Sequence, residues 1–127
     1  MDYRYEKHYT REEARALLPQ VKLWLKRLLQ LRSDFEKEDA KMTAMMAPGL
    51  DIGGRAVNAW VRTLAEIKEV LRDFHERQIQ IKDLDRGLID FPAIIAGREV
   101  FLCWEQGEQD IEFWHDLDAG YAGRAPL

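Results

Sequence analysis

The sequence predicts an α+β fold: a long antiparallel two-helix hairpin packed on a small C-terminal three-stranded antiparallel β meander. Three observations carry this reading. Apolar residues recur at alternating steps of three and four from Ala14 to Phe35, and again from Val57 to Phe74, as two amphipathic helices require. Pro48-Gly49 and Gly53-Gly54 punctuate the short stretch between the runs, which favours antiparallel neighbours. Beyond Gln78 the hydrophobic period falls to two, with Gly87, Pro92, Gly97 and Gly107 as turn markers.

The first helix is expected over about residues 10–46. Thr10 followed by Glu13 is a capping box, in which the hydroxyl and the carboxylate each satisfy a backbone N–H of the first turn. Its seam is Ala14, Leu17, Val21, Trp24, Leu28, Leu31 and Phe35, broadened by Leu18 and Leu25. Pro19 lies inside this pattern, lacks a backbone donor and crowds the preceding turn, so a kink or restart is expected near Leu18. The second helix, 54–77, carries Val57, Trp60, Leu64, Ile67, Leu71 and Phe74 at the same coiled-coil-like spacing. Packing in a helical core accounts for Trp24, Trp60 and Phe74, and the run Glu36-Lys37-Glu38-Asp39 reads as a solvated face. Two helices alone leave part of each stripe uncovered. The tail or a second copy of the chain must lie over it.

The tail, 78–127, divides into strands at Leu88–Ile95, Arg98–Glu105 and Asp110–Asp116. Ala96-Gly97 is a two-residue hairpin turn, weaker than Asn-Gly because alanine resists positive φ. A second turn is placed at Gln106–Gln109. The register then sets Phe91 against Leu102 and Phe113, and Asp90 against Cys103 and Glu112. One face would hold Ile89, Phe91, Ala93, Ile95, Val100, Leu102, Trp104, Ile111 and Phe113, with His115 as its single polar member. The other would mix carboxylates with Phe101 and Trp114 as cross-strand neighbours, a pair either covered by the Tyr3–Tyr5 segment or free to meet a partner.

Composition narrows the function classes. The 127 residues fit a single domain, 1–127, and bury roughly two-thirds of the unfolded surface. The net charge is −4, and no basic stripe with interleaved aromatics points to nucleic acid. Cys103 is the single cysteine, so neither an internal disulfide nor a cysteine-rich zinc motif is available. No apolar run approaches the roughly 18 residues of a membrane span, and MDYRYEKHY carries no export signal, so a cytoplasmic protein is expected.

Asp83-Leu84-Asp85-Arg86-Gly87 and Asp116-Leu117-Asp118-Ala119-Gly120 both open like a calcium loop. The twelfth positions are Ile94 and Leu127 where an EF-hand needs glutamate, so turn chemistry explains both better. The expected register also sets Asp85 and Asp116 more than about 20 Å apart along the sheet, which argues against a joint site. His115, beside Asp116 and two residues from Asp118, is a candidate metal ligand or general base. A structural role, with the ring donating to a backbone carbonyl, is the commoner fate of such a histidine. Cys103 between carboxylates has its thiol pKa raised, which disfavours a nucleophile. Gly53-Gly54 offers amides to an anion only weakly.

The stretches HYTREEARALLP (8–19), KDLDRGLIDFPA (82–93), GREVFLCWEQGE (97–108) and FWHDLDAGYAGRAPL (113–127) resemble the domain-of-unknown-function family 2203 over nearly the whole chain. The resemblance implies a small soluble bacterial protein with no known cofactor, and it supplies no catalytic residue. The residues themselves favour a non-enzymatic homo-oligomerising or protein-interaction module, a dimer with Phe101 and Trp114 as contact residues. The alternative is a small metal-binding or acid/base enzyme, with a divalent metal at His115, Asp116 and Asp118.

Overall fold

The computed structural model describes residues 2–46 and 54–127. Two helices, α1 (Arg11–Met46) and α2 (Gly54–Glu76), precede five strands: β1 (Gln80–Asp83), β2 (Leu88–Ile95), β3 (Arg98–Glu105), β4 (Phe113–Asp116) and β5 (Ala125–Pro126). Pro48, Gly49 and Gly53 of the expected connection lie outside the described residues. The chain forms two compact units, Lys26–Arg72 and a second made of Met1–Leu25 with Asp73–Leu127. Among the described residues no helix is long and apolar enough to cross a membrane.

Local chemistry sets the helix ends. The capping box forms as the residues dictate: Glu13 N donates to Thr10 Oγ1 at 3.1 Å, and Thr10 N donates to Glu13 Oε1 at 3.0 Å. The helix then runs unbroken through Pro19, so the expected restart near Leu18 does not occur. Pro19 lies on the exposed side while Leu18 and Val21 beside it are buried, and packing of that stripe outweighs one missing backbone bond. Helix α2 ends in a Schellman motif, with Ile79 N donating to Phe74 O at 3.1 Å and Gln78 N to His75 O at 3.0 Å. The left-handed position is taken by Gln78 (φ 58°) instead of glycine, and the accompanying apolar pair is the buried Phe74 and Ile79.

All five strands pair antiparallel in chain order, so the expected three-stranded meander is the middle of a larger one. The β2–β3 register is the anticipated one, with Phe91 opposite Leu102 and Asp90 opposite Cys103. Ala96 (φ 52°) and Gly97 (φ 77°) make the turn, both left-handed. That conformation costs alanine about 1 kcal/mol, whereas burying one large apolar side chain contributes about 1.5–3 kcal/mol. Packing along the strands therefore fixes this hairpin against its own turn.

The β3–β4 register corrects the expected one by a single residue. Cys103 faces Phe113, Leu102 faces Trp114 and Phe101 faces His115. The strand starts at Phe113 instead of Asp110, because the preceding connection is longer than a tight turn. There Trp104 Nε1 donates to Glu108 O at 2.9 Å, Glu105 N to Glu108 Oε1 at 2.6 Å, and Ile111 N to the side chain of Asp110 at 2.7 Å. Since side chains alternate along a strand, a one-residue slip transfers every β4 residue to the other face. Trp114 leaves Phe101 and joins Leu102, and His115 leaves the helix-side face.

In the sheet-bearing unit, the face with Ile89, Phe91, Ala93, Val100, Leu102 and Trp104 is buried. Tyr9 and the first half of α1 lie on it: Tyr9 meets Phe91 with ring centroids 5.6 Å apart, and the Lys22 ammonium sits 5.8 Å from the Trp104 ring. Ala14, Leu18, Val21 and Leu25 are the buried stripe of that helical stretch. The opposite face is enclosed as well, by residues 3–8. Glu99 accepts from Arg4 N (2.7 Å), Tyr5 N (3.0 Å) and the His8 ring (2.7 Å), while Gln78 Oε1 accepts from Glu6 N and Lys7 N. Tyr9 N donates to Pro92 O at 2.7 Å, on the part of β2 that β1 does not reach. In the Lys26–Arg72 unit the two helical stretches run antiparallel, joined by Arg27 with Glu66, Phe35 against Trp60 (5.7 Å), and Thr63 Oγ1 donating to Glu38 Oε1.

Candidate functional site

Three buried, chemically versatile side chains meet on the strap-covered face of the sheet. Asp90 stands on β2 directly opposite Cys103 on β3. His115 stands on β4 opposite Phe101, two residues along the ladder from Cys103's partner Phe113, so period-two alternation brings all three to one side. Their exposures are 1%, 0% and 2%. One donor atom from each lies within 4.8 Å of the others. The one-residue slip in β4 is what creates this cluster.

The hydrogen bonds constrain where its protons sit. His115 Nδ1 is 2.7 Å from the carbonyl oxygen of Asp116, an acceptor only, so Nδ1 carries a proton and donates. Nε2 is 3.0 Å from Asp90 Oδ2. One further proton occupies that contact, on the imidazolium or on the carboxyl group. Asp90 Oδ1 is enclosed and has no hydrogen-bond partner. Burial pushes the Asp90 carboxyl above its ordinary range, opposed by His115, by the Cys103 thiol and by the charge of Lys82. That lysine lies 5.0 Å over the Phe101 ring. Burial, reinforced by Asp90, pushes the Cys103 thiol up to about 12, against the opposing charge of Arg124.

A thiol so held is no thiolate nucleophile at neutral pH. The cluster is also closed to solvent on all three members. What it offers is a compact donor set of one sulfur, one imidazole nitrogen and carboxylate oxygen.

The other singled-out residues are placed apart from it. The Asp116 carboxylate pairs with Arg98 and that of Asp118 with Arg4 at 3.2 Å, so neither carboxylate joins the His115 ring. In the first calcium-like segment, Asp83 Oδ1 accepts from Arg86 N at 3.1 Å and Gly87 adopts φ 63°, which is turn geometry. Phe101 is 1% exposed, with Tyr5 and His115 both 5.5 Å away between ring centroids. Trp114 is half-buried on the far side of the sheet, beside a recess of about 310 Å³ lined by Ile95, Ala96, Arg98 and Val100. The two aromatics therefore do not form one surface.

A second cluster escaped the sequence reading. Arg124, with its side chain 9% exposed, lies 3.9 Å over Phe113 and 4.7 Å over Tyr121, and Arg86 lies 4.2 Å over Tyr121. Glu105 accepts from Arg86 and from Tyr121 OH, and Glu108 pairs with Arg124. This stack fastens the final residues, and just beyond β5 Leu127 N donates to Glu112 O at 2.9 Å. The sequence offered no periodic signal for it, because Arg86, Glu105, Glu108, Phe113, Tyr121 and Arg124 come from separate segments.

Neither the curated proteins nor the solved structures contain a match to this chain. The family model of an uncharacterised conserved protein, DUF2203, matches residues 7–127, and the chain belongs to that family.

Proposed function

We propose that this protein is a non-enzymatic self-association module in which a second copy docks on the Lys26–Arg72 hairpin. The observation that carries the reading is the incomplete burial of that hairpin's own seam. Leu28 and Leu31 are buried, yet Phe35, Trp60, Leu64 and Ile67 are only half-covered. Trp60 Nε1 and Glu38 Oε2 are enclosed without a hydrogen-bond partner. An isolated pair of helices hides only the sides that face each other, and four helices are the common way to cover the rest.

The recess between the last turns of α1 and the first turns of α2 favours a second copy over an unrelated partner. Ala56, Ala59 and Met45 line a recess of about 400 Å³, with Glu38, Lys41 and Arg55 around it. Small floor residues allow helices to approach closely, and acid and base on one rim are self-complementary under a two-fold axis. A left-handed four-helix arrangement of coiled-coil type is the assembly this implies.

Light scattering at micromolar concentration tests it. The intact protein should weigh twice its 14.9 kDa chain mass. Ala59→Glu places bulk and charge on the recess floor at a half-exposed helical site, so it should halve the mass and leave the helical circular dichroism intact. A strictly monomeric intact protein would refute the reading, as would an Ala59→Glu protein that stays dimeric.

A further inference from the structure

We propose that Asp90, Cys103 and His115 bind one thiophilic divalent ion, with Zn²⁺ the best match, as a staple across β2, β3 and β4. The donor set is the first argument. Thiolate, imidazole and carboxylate together suit Zn²⁺, whereas Ca²⁺ and Mg²⁺ take oxygen. Zinc bonds of about 2.0–2.3 Å place neighbouring ligand atoms roughly 3.3–3.8 Å apart. The three atoms here, with Nε2 and Oδ2 at 3.0 Å and all within 4.8 Å, reach that spacing by small side-chain rotations.

The second argument is the orientation of the histidine. A metal-binding imidazole normally donates its other N–H to a carbonyl or carboxylate, which fixes the tautomer and aims the free nitrogen at the ion. The bond from His115 Nδ1 to Asp116 O does this, and it leaves Nε2 facing the cluster. The third argument is Asp90 Oδ1, buried and unpartnered. Bound as the second arm of a bidentate carboxylate, it gains a partner and supplies a fourth donor atom.

Charge balance is the fourth argument. The proton between Nε2 and Oδ2 leaves that pair neutral overall, and the Cys103 thiol is neutral while protonated. Binding a divalent cation releases both protons. The ion then sits between one carboxylate, one thiolate and a neutral imidazole, again with zero net charge. A buried site therefore exchanges two protons for one M²⁺ without acquiring an uncompensated charge, which would be costly.

The test uses the whole protein, stripped with chelator under denaturing conditions and refolded with or without one equivalent of Zn²⁺. Elemental analysis after desalting should find one zinc per chain, and the zinc form should melt roughly 5–10 °C higher. Co²⁺ in place of zinc should give the near-ultraviolet thiolate-to-metal charge-transfer band and the visible bands of a four-coordinate ion. Cys103→Ala should remove the near-ultraviolet band and the melting shift. Absence of stoichiometric metal from the refolded intact protein overturns the proposal, as does a cobalt complex without the thiolate band. A zinc response that survives in Cys103→Ala overturns it too, because the ion is then held elsewhere, for example near His8 or His75. Should Cys103→Ala fail to refold, the cobalt spectrum of the intact protein decides alone.

Discussion

The two units of this chain are built to different standards of completion. In the sheet-bearing unit both faces of the meander are covered, and Phe91, Val100, Phe101, Cys103, Trp104 and His115 are each 2% exposed or less. Among the described residues of the Lys26–Arg72 hairpin only Leu28, Leu31 and Thr63 are buried, at 3%, 2% and 8% exposure. The sheet gains its second cover from residues 3–8 and from the final residues, whereas the hairpin, among the described residues, has two helices and no third layer. Burial is deepest where residues 3–8 and the final residues return to close a face. The region without such closure is the one to which the proposed self-association assigns a second copy.

Paired truncations test that contrast with the largest expected effect. Trp104 is fully buried and its indole N–H is satisfied, so Trp104→Ala should cost about 3–5 kcal/mol in urea unfolding. Trp60, half-buried against Phe35, should cost about 1–2 kcal/mol when truncated to alanine under monomeric conditions. Equal costs would erase the distinction between the units.

A smaller effect, in acid, sharpens the account of how the sheet is closed. Burial alone would raise the Glu99 carboxyl, but the His8 ring and the amides of Tyr5 and Arg4 outweigh it and hold the group below its ordinary value of 4.5. A carboxylate whose folded pKa is depressed stabilises the protein fully above its unfolded pKa. That contribution fades as pH falls below about 4.5 and through the lower folded value. Unfolding measured from pH 6 to 3 should therefore show a loss that Glu99→Gln removes. An identical slope in the variant would exclude Glu99 as the clamp. The smallest effect has the opposite sign: Ala96→Asn should stabilise by about 0.5–1 kcal/mol, because asparagine accepts the left-handed turn that alanine resists.

How far the residues disclosed this architecture depends on where the information was local. The capping box at Thr10 and Glu13, the seams of α1 and α2, and the β2–β3 register all rest on patterns within one element or across a two-residue turn. The end of α2 was blurred because glutamine stands where a glycine would have signalled it. Strand β1 has four residues and an irregularity between Ile81 and Asp83, and β5 has two, so neither offers a period to read. The Gln106–Glu112 connection gave no count of its own length, and Phe113-Trp114-His115-Asp116 puts aromatics on both faces, so alternation could not arbitrate the slip. Asp90 opposite Cys103 was legible. His115 joining them was not, since its position depended on the one register that local sequence left undetermined.

The cover over Phe101 is gripped mainly through its peptide groups: two side chains, Gln78 and Glu99, take up the amides of four successive residues from Arg4 to Lys7. Recognition of this kind is indifferent to most of what those four residues carry, with Tyr5 the exception because its ring rests on Phe101. Substitutions at Arg4, Glu6 or Lys7 should therefore pass almost unnoticed, while a proline at any of the four would delete a donor and loosen the grip. The specificity of this closure is written in the residues that receive the chain end more than in the chain end itself.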